Sequence, residues 1–196
     1  MVWSHPLTRV RDPENAEGER RLSDRELERF EESLLRHLDA AYNLARYLLR
    51  DVHEAEDSVQ DAFLRAIRHF GGFRGPDGRA WLLSIVRNTC LTRLRRRRPA
   101  GTIVEFDEME HRRVEHGESE PEAGLARAAA AEIAREGLER LAVEFREVLV
   151  LRELEGLSYK EIAHVTGVPL GTVMSRLARA RRQLMLALGA PEKGDH

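Results

Sequence analysis

Apolar residues recur at steps of three and four along most of this 196-residue chain, and no stretch shows the alternation of a strand. After Ser23, a good helix N-cap, the residues Leu27, Phe30, Leu34, Leu38, Ala41, Ala45 and Leu48 share one face and predict a long helix. A second helix is predicted after Asp51, with Ala55, Val59, Phe63, Ala66 and Ile67 turned inward. Phe70-Gly-Gly-Phe-Arg-Gly-Pro-Asp-Gly78 is a loop on its glycines and proline. A third helix begins near Asp77, carries Trp81, Leu82, Ile85, Val86 and Leu91, and runs into arginines before Pro99 stops it. From Leu125 an alanine-rich helix leads to Leu138, Leu141, Phe145, Val148 and Leu149, another amphipathic run, which Gly156 closes.

Two stretches lack this period. Residues 1–22 are polar and charged and are expected to be a flexible lead-in; Trp3-Ser-His-Pro6 within it resembles an affinity-tag fragment. Residues 100–124 are acidic and punctuated by Gly101, Gly117, Pro121 and Gly124, which predicts a linker. The expected fold is therefore all-α. Two small helical domains, 23–99 and 125–190, are joined by a flexible acidic linker at 100–124, with a tail at 191–196.

The second domain contains a tightly spaced run from Ser158 to Arg182. Ser158 and Glu161 form an S-x-x-E capping box that opens a short helix bearing Ile162, Ala163 and Val165. Thr166-Gly-Val-Pro169 breaks it: Gly167 suits a positive φ at a helix end, and Pro169 can enter the next helix but not continue the first. A second helix then buries Val173, Leu177 and Leu184 and presents Thr172, Met174, Ser175, Arg176, Ala178 and Arg179. Hydroxyl and guanidinium groups on one exposed face suit phosphates and base edges in a major groove, so the run reads as a helix-turn-helix. The plainer alternative is a helical hairpin with a solvated basic face.

Overall charge gives no hint of nucleic acid, since 32 Lys and Arg oppose 34 Asp and Glu. The charges are segregated, however. Arg93, Arg95, Arg96, Arg97 and Arg98 fall almost together, whereas Glu105 to Glu122 holds eight acids against Arg112 and Arg113. The single cysteine, Cys90, rules out an internal disulfide framework and fits a reducing cytoplasm; it reads as a small buried residue. No stretch approaches a transmembrane span and the N-terminus has no apolar signal core, so a cytoplasmic location is expected.

Two further sets of residues make the picture specific. The first domain holds Ala55-Glu-Asp-Ser-Val-Gln-Asp-Ala-Phe-Leu-Arg-Ala66, then Trp81-Leu-Leu-Ser-Ile-Val-Arg-Asn88 and its arginine-rich helix end. The second holds Arg146-Glu-Val-Leu-Val-Leu-Arg152, Gly156-Leu-Ser-Tyr-Lys-Glu-Ile-Ala163 and Gly171-Thr-Val-Met-Ser-Arg-Leu-Ala-Arg-Ala-Arg181. In this order and spacing they resemble the extracytoplasmic-function (ECF) sigma factors, the small two-domain branch of the bacterial sigma-70 family. The likeness covers about residues 26–188. It implies a subunit that docks on core RNA polymerase (its beta and beta-prime subunits), recognises −35 and −10 promoter DNA and opens the duplex. It also implies an anti-sigma factor as a partner, with no small-molecule substrate, no cofactor, no metal and no catalytic residue.

The resemblance distributes roles along the chain. Asp57, Gln60, Asp61 and Arg65, on one helix face opposite Val59, Phe63 and Ala66, correspond to the surface for the polymerase clamp helices. Phe73 and Arg74 lie in the loop that captures a flipped −10 base, although Phe73 reads equally as a loop anchor on the core, and Trp81 as a core residue. Arg87, Asn88, Arg93, Arg95, Arg96 and Arg97 would follow the −10 strand, the arginines on phosphates and Asn88 on a base edge. Thr92 stands where the family often has Asp, which removes a carboxylate beside that basic helix. For the −35 element the residues are Thr172, Met174, Ser175, Arg176, Ala178 and Arg179, with Arg181 and Arg182 as phosphate clamps. Met174 replaces a frequent arginine, and Ala142 a usual proline.

The resemblance implies two elements about 16 or 17 base pairs apart, hence about 55 Å at roughly 3.4 Å per base pair. A flexible segment of about 25 residues spans about 25–30 Å on average and stretches to roughly 80 Å, so the linker can bridge them. Its acids suit a basic nucleic-acid channel, which makes it either a mimic of nucleic acid or a plain spacer. Two rival classes are weaker. A dimeric operator-binding regulator would need a sensing or dimerisation domain, and residues 26–98 show neither a ligand-pocket pattern nor a heptad seam. A metal-dependent nuclease built on His53, Glu54, Glu56 and Asp57 lacks a second histidine at helical spacing.

Overall fold

The computed structural model describes residues 23–73, 75, 77–97 and 132–188, and among these every regular element is helical. Helix α1 (Asp24–Leu34) opens on the capping box of Ser23 and Glu26. The single long helix expected from Ser23 is then interrupted. A 3-10 turn at Leu35–His37 separates α1 from α2 (Leu38–Leu49). Three residues per turn in place of 3.6 rotate the stripe. Phe30, Leu34, Ala41, Ala45 and Leu48 are buried as expected, but Leu27 and Leu38 are exposed.

Helix α2 ends on Arg50 in the left-handed conformation, and Asp51 caps α3 (Val52–His69) through the Glu54 amide. The glycine-rich stretch begins with a 3-10 turn, Phe70–Gly72, and Asp77 caps α4 (Gly78–Arg96). Gly78 permits the start of α4 to sit against the end of α1, since a Cβ there would lie 2.9 Å from the Ser33 carbonyl oxygen. Helices α2, α3 and α4 pack on one another, with α1 against α4, around Leu34, Leu44, Leu48, Ala62, Leu82 and Val86.

The second unit starts with α5 (132–139). The amphipathic run breaks at 140–142 before α6 (Val143–Leu149), which continues into a π-turn at Val150–Leu154. Ala142 has φ −59° and ψ 149°, the polyproline geometry natural to proline, so alanine retains the conformation for which the proline of the family is suited. Helix α7 (Tyr159–Thr166) and helix α8 (Leu170–Ala187) complete the fold. The alanine-rich start at Leu125, the linker at 100–124, the lead-in at 1–22 and the tail at 191–196 lie outside the described residues.

The two units pack together. Helix α4 lies against α7 and α2 against α6, and the buried residues of both belong to one apolar cluster.

Candidate nucleic-acid interface

Helices α7 and α8 form the expected helix-turn-helix. Ser158 accepts from the Glu161 amide while Glu161 accepts from the Ser158 amide at 2.6 Å, so both ends of the capping box are present. These bonds hold the Glu161 carboxyl below its usual range. Gly167 closes α7 with φ 70°, a left-handed conformation that costs a glycine little. On α8, Val173, Leu177 and Ala180 are buried, while Met174, Ser175, Ala178, Arg179 and Arg182 are exposed. Thr172 and Arg176 are half-buried at the edge of that face. Leu184, expected in the core, is only partly covered. Arg181 is engaged within the unit: its Nε and Nη2 donate to Glu153 Oε1 at 3.1 and 2.7 Å.

In the first unit the polar face of α3 exposes Asp57, Gln60 and Asp61, with Arg65 half-buried. Beside Gln60 an apolar groove of about 520 Å³ runs between the start of α2 and α3, its rim carrying the exposed Leu35, Leu38 and Leu64. Leu35 and Leu64 were not among the residues singled out from the sequence, and Leu38 was placed inward. Only the 3-10 turn turns Leu35 and Leu38 outward.

The basic end of α4 is tied to this same face. Arg93 lies 3.2 Å from Asp57 Oδ2 and 3.7 Å from Asp61 Oδ2, and Arg97 pairs with Glu54. The carboxylates beside this basic end therefore come from α3, and the Thr92 hydroxyl donates to the Asn88 carbonyl at 2.8 Å. Arg95, Arg96 and Asn88 are exposed. Phe73 stacks on Trp81, and Phe70 joins Phe73 and Phe30, so the loop is fastened to the core by rings; Arg74 lies outside the described residues.

Arg87 has a different setting from its neighbours. Its Nε and Nη2 donate to Glu147 Oε2 and Oε1 of α6 at 2.7 and 3.1 Å, and Arg176 Nη1 of α8 approaches the same Oε1 at 3.5 Å. A second carboxylate, Glu155 after the π-turn, accepts from Arg79 Nη2 at 2.7 Å and Asn43 Nδ2 at 3.2 Å. Both carboxylates are buried. Burial also pushes the Cys90 thiol up to about 12 and draws the Arg146 guanidinium down to about 10.

Residues 34–100 match the Sigma-70 region 2 family and residues 131–184 the Sigma-70 region 4 family. The RNA polymerase sigma-H factor of Pseudomonas aeruginosa is 34% identical over 165 residues, covering 81% of this chain and 86% of that protein. The ECF RNA polymerase sigma factor SigM of Mycobacterium tuberculosis is 36% identical over 161 residues, covering 82% and 77%. Among solved structures, the sigma factor RpoE in complex with the anti-sigma factor NepR from Bartonella quintana superposes with a TM-score of 0.63 at 27% identity, covering 83% of this chain and 98% of that one. CnrH in complex with the cytosolic domain of CnrY gives 0.59 at 28%, covering 83% and 89%.

The chain belongs to the ECF branch of the sigma-70 family of RNA polymerase sigma factors. Its function is promoter-directed transcription initiation with core RNA polymerase, not operator binding as a stand-alone regulator. Among the described residues no helix is long and apolar enough to cross a membrane.

Proposed function

We propose that residues 23–99 dock on core polymerase and read the −10 element, and that residues 125–190 read the −35 element. Docking uses Asp57, Gln60, Asp61 and Arg65, with the apolar groove beside Gln60 supplying a centre from which water is excluded. Asn88 reads a base edge on the −10 strand, while Arg87, Arg93, Arg95, Arg96 and Arg97 follow its phosphates. Phe73 and Arg74 border the pocket for the flipped base. In the second domain Thr172, Met174, Ser175, Arg176, Ala178 and Arg179 face the major groove and Arg182 clamps phosphate. The factor acts in the cytoplasm, carries no catalytic activity of its own, and is held in check by an anti-sigma protein.

The observation that carries this reading is the division of α8: Val173, Leu177 and Ala180 are buried while Met174, Ser175, Ala178 and Arg179 stand in solvent. A mobility-shift assay on promoter DNA tests it. A specific shift should need core polymerase and should weaken when either the −35 or the −10 element is scrambled. Tight, specific binding by the chain alone would instead favour an operator-binding regulator.

A further inference from the structure

The surface that α8 turns to solvent is chemically divided. Its middle carries small residues: Gly171, Ser175 and Ala178 are exposed, and a Cβ at Gly171 would meet nothing within 4 Å. Larger groups flank it, with Met174 on one side and Arg179 on the other. Met174 is 53% exposed, although Val173 and Leu177 on the opposite face are fully covered. The other cations of this stretch are drawn to the edges by acids of their own unit. Arg176 Nη1 lies 3.5 Å from Glu147 Oε1, and Arg181 donates to Glu153. The Ser175 hydroxyl donates to the Thr172 carbonyl at 3.0 Å, which leaves its oxygen as an acceptor only.

A major groove offers one apolar feature to such a face, the C5-methyl group of thymine. The Met174 thioether has no N–H or O–H to donate, so it adds nothing to the reading of hydrogen-bonding base edges. Its chain is unbranched and polarizable, and it adapts its shape to a small apolar target. The small residues in the middle of the helix let the backbone come close to the bases. That approach brings Met174 within reach of a methyl group while Arg179 spans the other side of the face.

We infer that Met174 is a specificity-determining residue of the −35 reader, selecting an A·T pair by apolar contact with its thymine methyl. The inference rests on the proposed docking of α8 in the major groove and names the base chemistry taken there. An arginine at this position would pair with guanine instead; methionine turns the preference toward a methylated edge. Covering one methyl group is worth about fourfold in affinity. The contact carries no charge, so its worth does not change with salt, whereas the phosphate contacts weaken.

Uracil in place of thymine tests the contact, because it removes the methyl group and keeps every pairing atom. Holoenzyme is bound to duplexes of a promoter found by start-site mapping, with each −35 thymine of either strand replaced in turn. Uracil at one of these thymines should weaken binding about fourfold, by the same factor at low and high salt. In Met174→Ala that replacement should have no effect, with helical circular dichroism unchanged because the side chain lies at the surface. Met174→Gln, which keeps the length of the side chain, should lose the effect too and keeps the test intact if the alanine variant folds poorly. Uracil that is silent at every −35 thymine, or a penalty that survives in a folded variant, would overturn the methyl contact. Scrambling the −35 element in the same assay separates this inference from the proposed function. A scramble that weakens binding while every uracil is silent removes the methyl contact alone, and a scramble without effect removes the −35 reading by α8 itself.

Discussion

Phe73 and Trp81 stack with ring centroids 4.7 Å apart and planes inclined by 29°. A residue of the glycine-rich loop is thereby fastened to the first turn of α4, so the loop is placed by ring packing as well as by its backbone. Phe73→Ala should lower the melting temperature by a few degrees, consistent with loss of about 1–2 kcal/mol of stacking and burial. It should also reduce promoter opening about tenfold, because a loop without its anchor holds an unstacked base poorly. Permanganate reactivity of the −10 thymines at saturating polymerase reads the second effect. Opening at the parental level in Phe73→Ala would show that the ring serves stability alone.

The exposed arginines of α8 should separate by role. Arg182→Ala should weaken binding to all −35 sequences alike and lower the slope of log affinity against log salt by about 1. Arg179→Ala should instead cost about 1–3 kcal/mol on the preferred sequence and relax the preference at one base pair. Holoenzyme binding to a panel of −35 duplexes at several salt concentrations distinguishes them; identical behaviour would remove the assignment.

The capping box carries a pH signature. The Glu161 carboxyl is held below its usual range by Ser158, so its contribution is fully present above the unfolded carboxyl value and is lost as pH falls through the folded value. Ser158→Ala should cost about 1 kcal/mol near neutrality. That cost should begin to shrink only below the ordinary carboxyl value of 4.5, as pH falls through the lower folded value and Glu161 takes up its proton. Urea titrations at neutral and acid pH check both the size and the sign.

Ala142 already has proline geometry before α6. Ala142→Pro should therefore stabilise the chain by about 0.4–1 kcal/mol through the unfolded state, raising the melting temperature by roughly 1–3 °C. A fall in melting temperature would mean that the preceding Leu141 cannot take the extended conformation proline demands.

The parts of this molecule written in local spacing were legible in the sequence. Ser158, Glu161 and Gly167 act within one or two turns, so the helix-turn-helix could be drawn residue by residue, and the α3 face of Asp57, Gln60 and Asp61 follows from helical period. Leu38 was misplaced because a single 3-10 turn rotates a stripe without changing its three- and four-residue steps. Arg93 was assigned to DNA alone because its pairing with Asp57 and Asp61 joins residues more than thirty positions apart. Arg87 and Arg79, which pair with Glu147 and Glu155, lie 60 and 76 positions away from them, and nothing local in the sequence sets either glutamate apart from other acids. Long-range ion pairs leave no period to read.

Run-off transcription with core RNA polymerase, followed by mapping of start sites, tests the central claim most directly. The folded chain should direct a small set of transcripts whose start sites share −35 and −10 sequences at a fixed spacing. Substitutions in either element should abolish them. Failure of an active core and folded protein to yield any promoter-specific transcript would contradict the account.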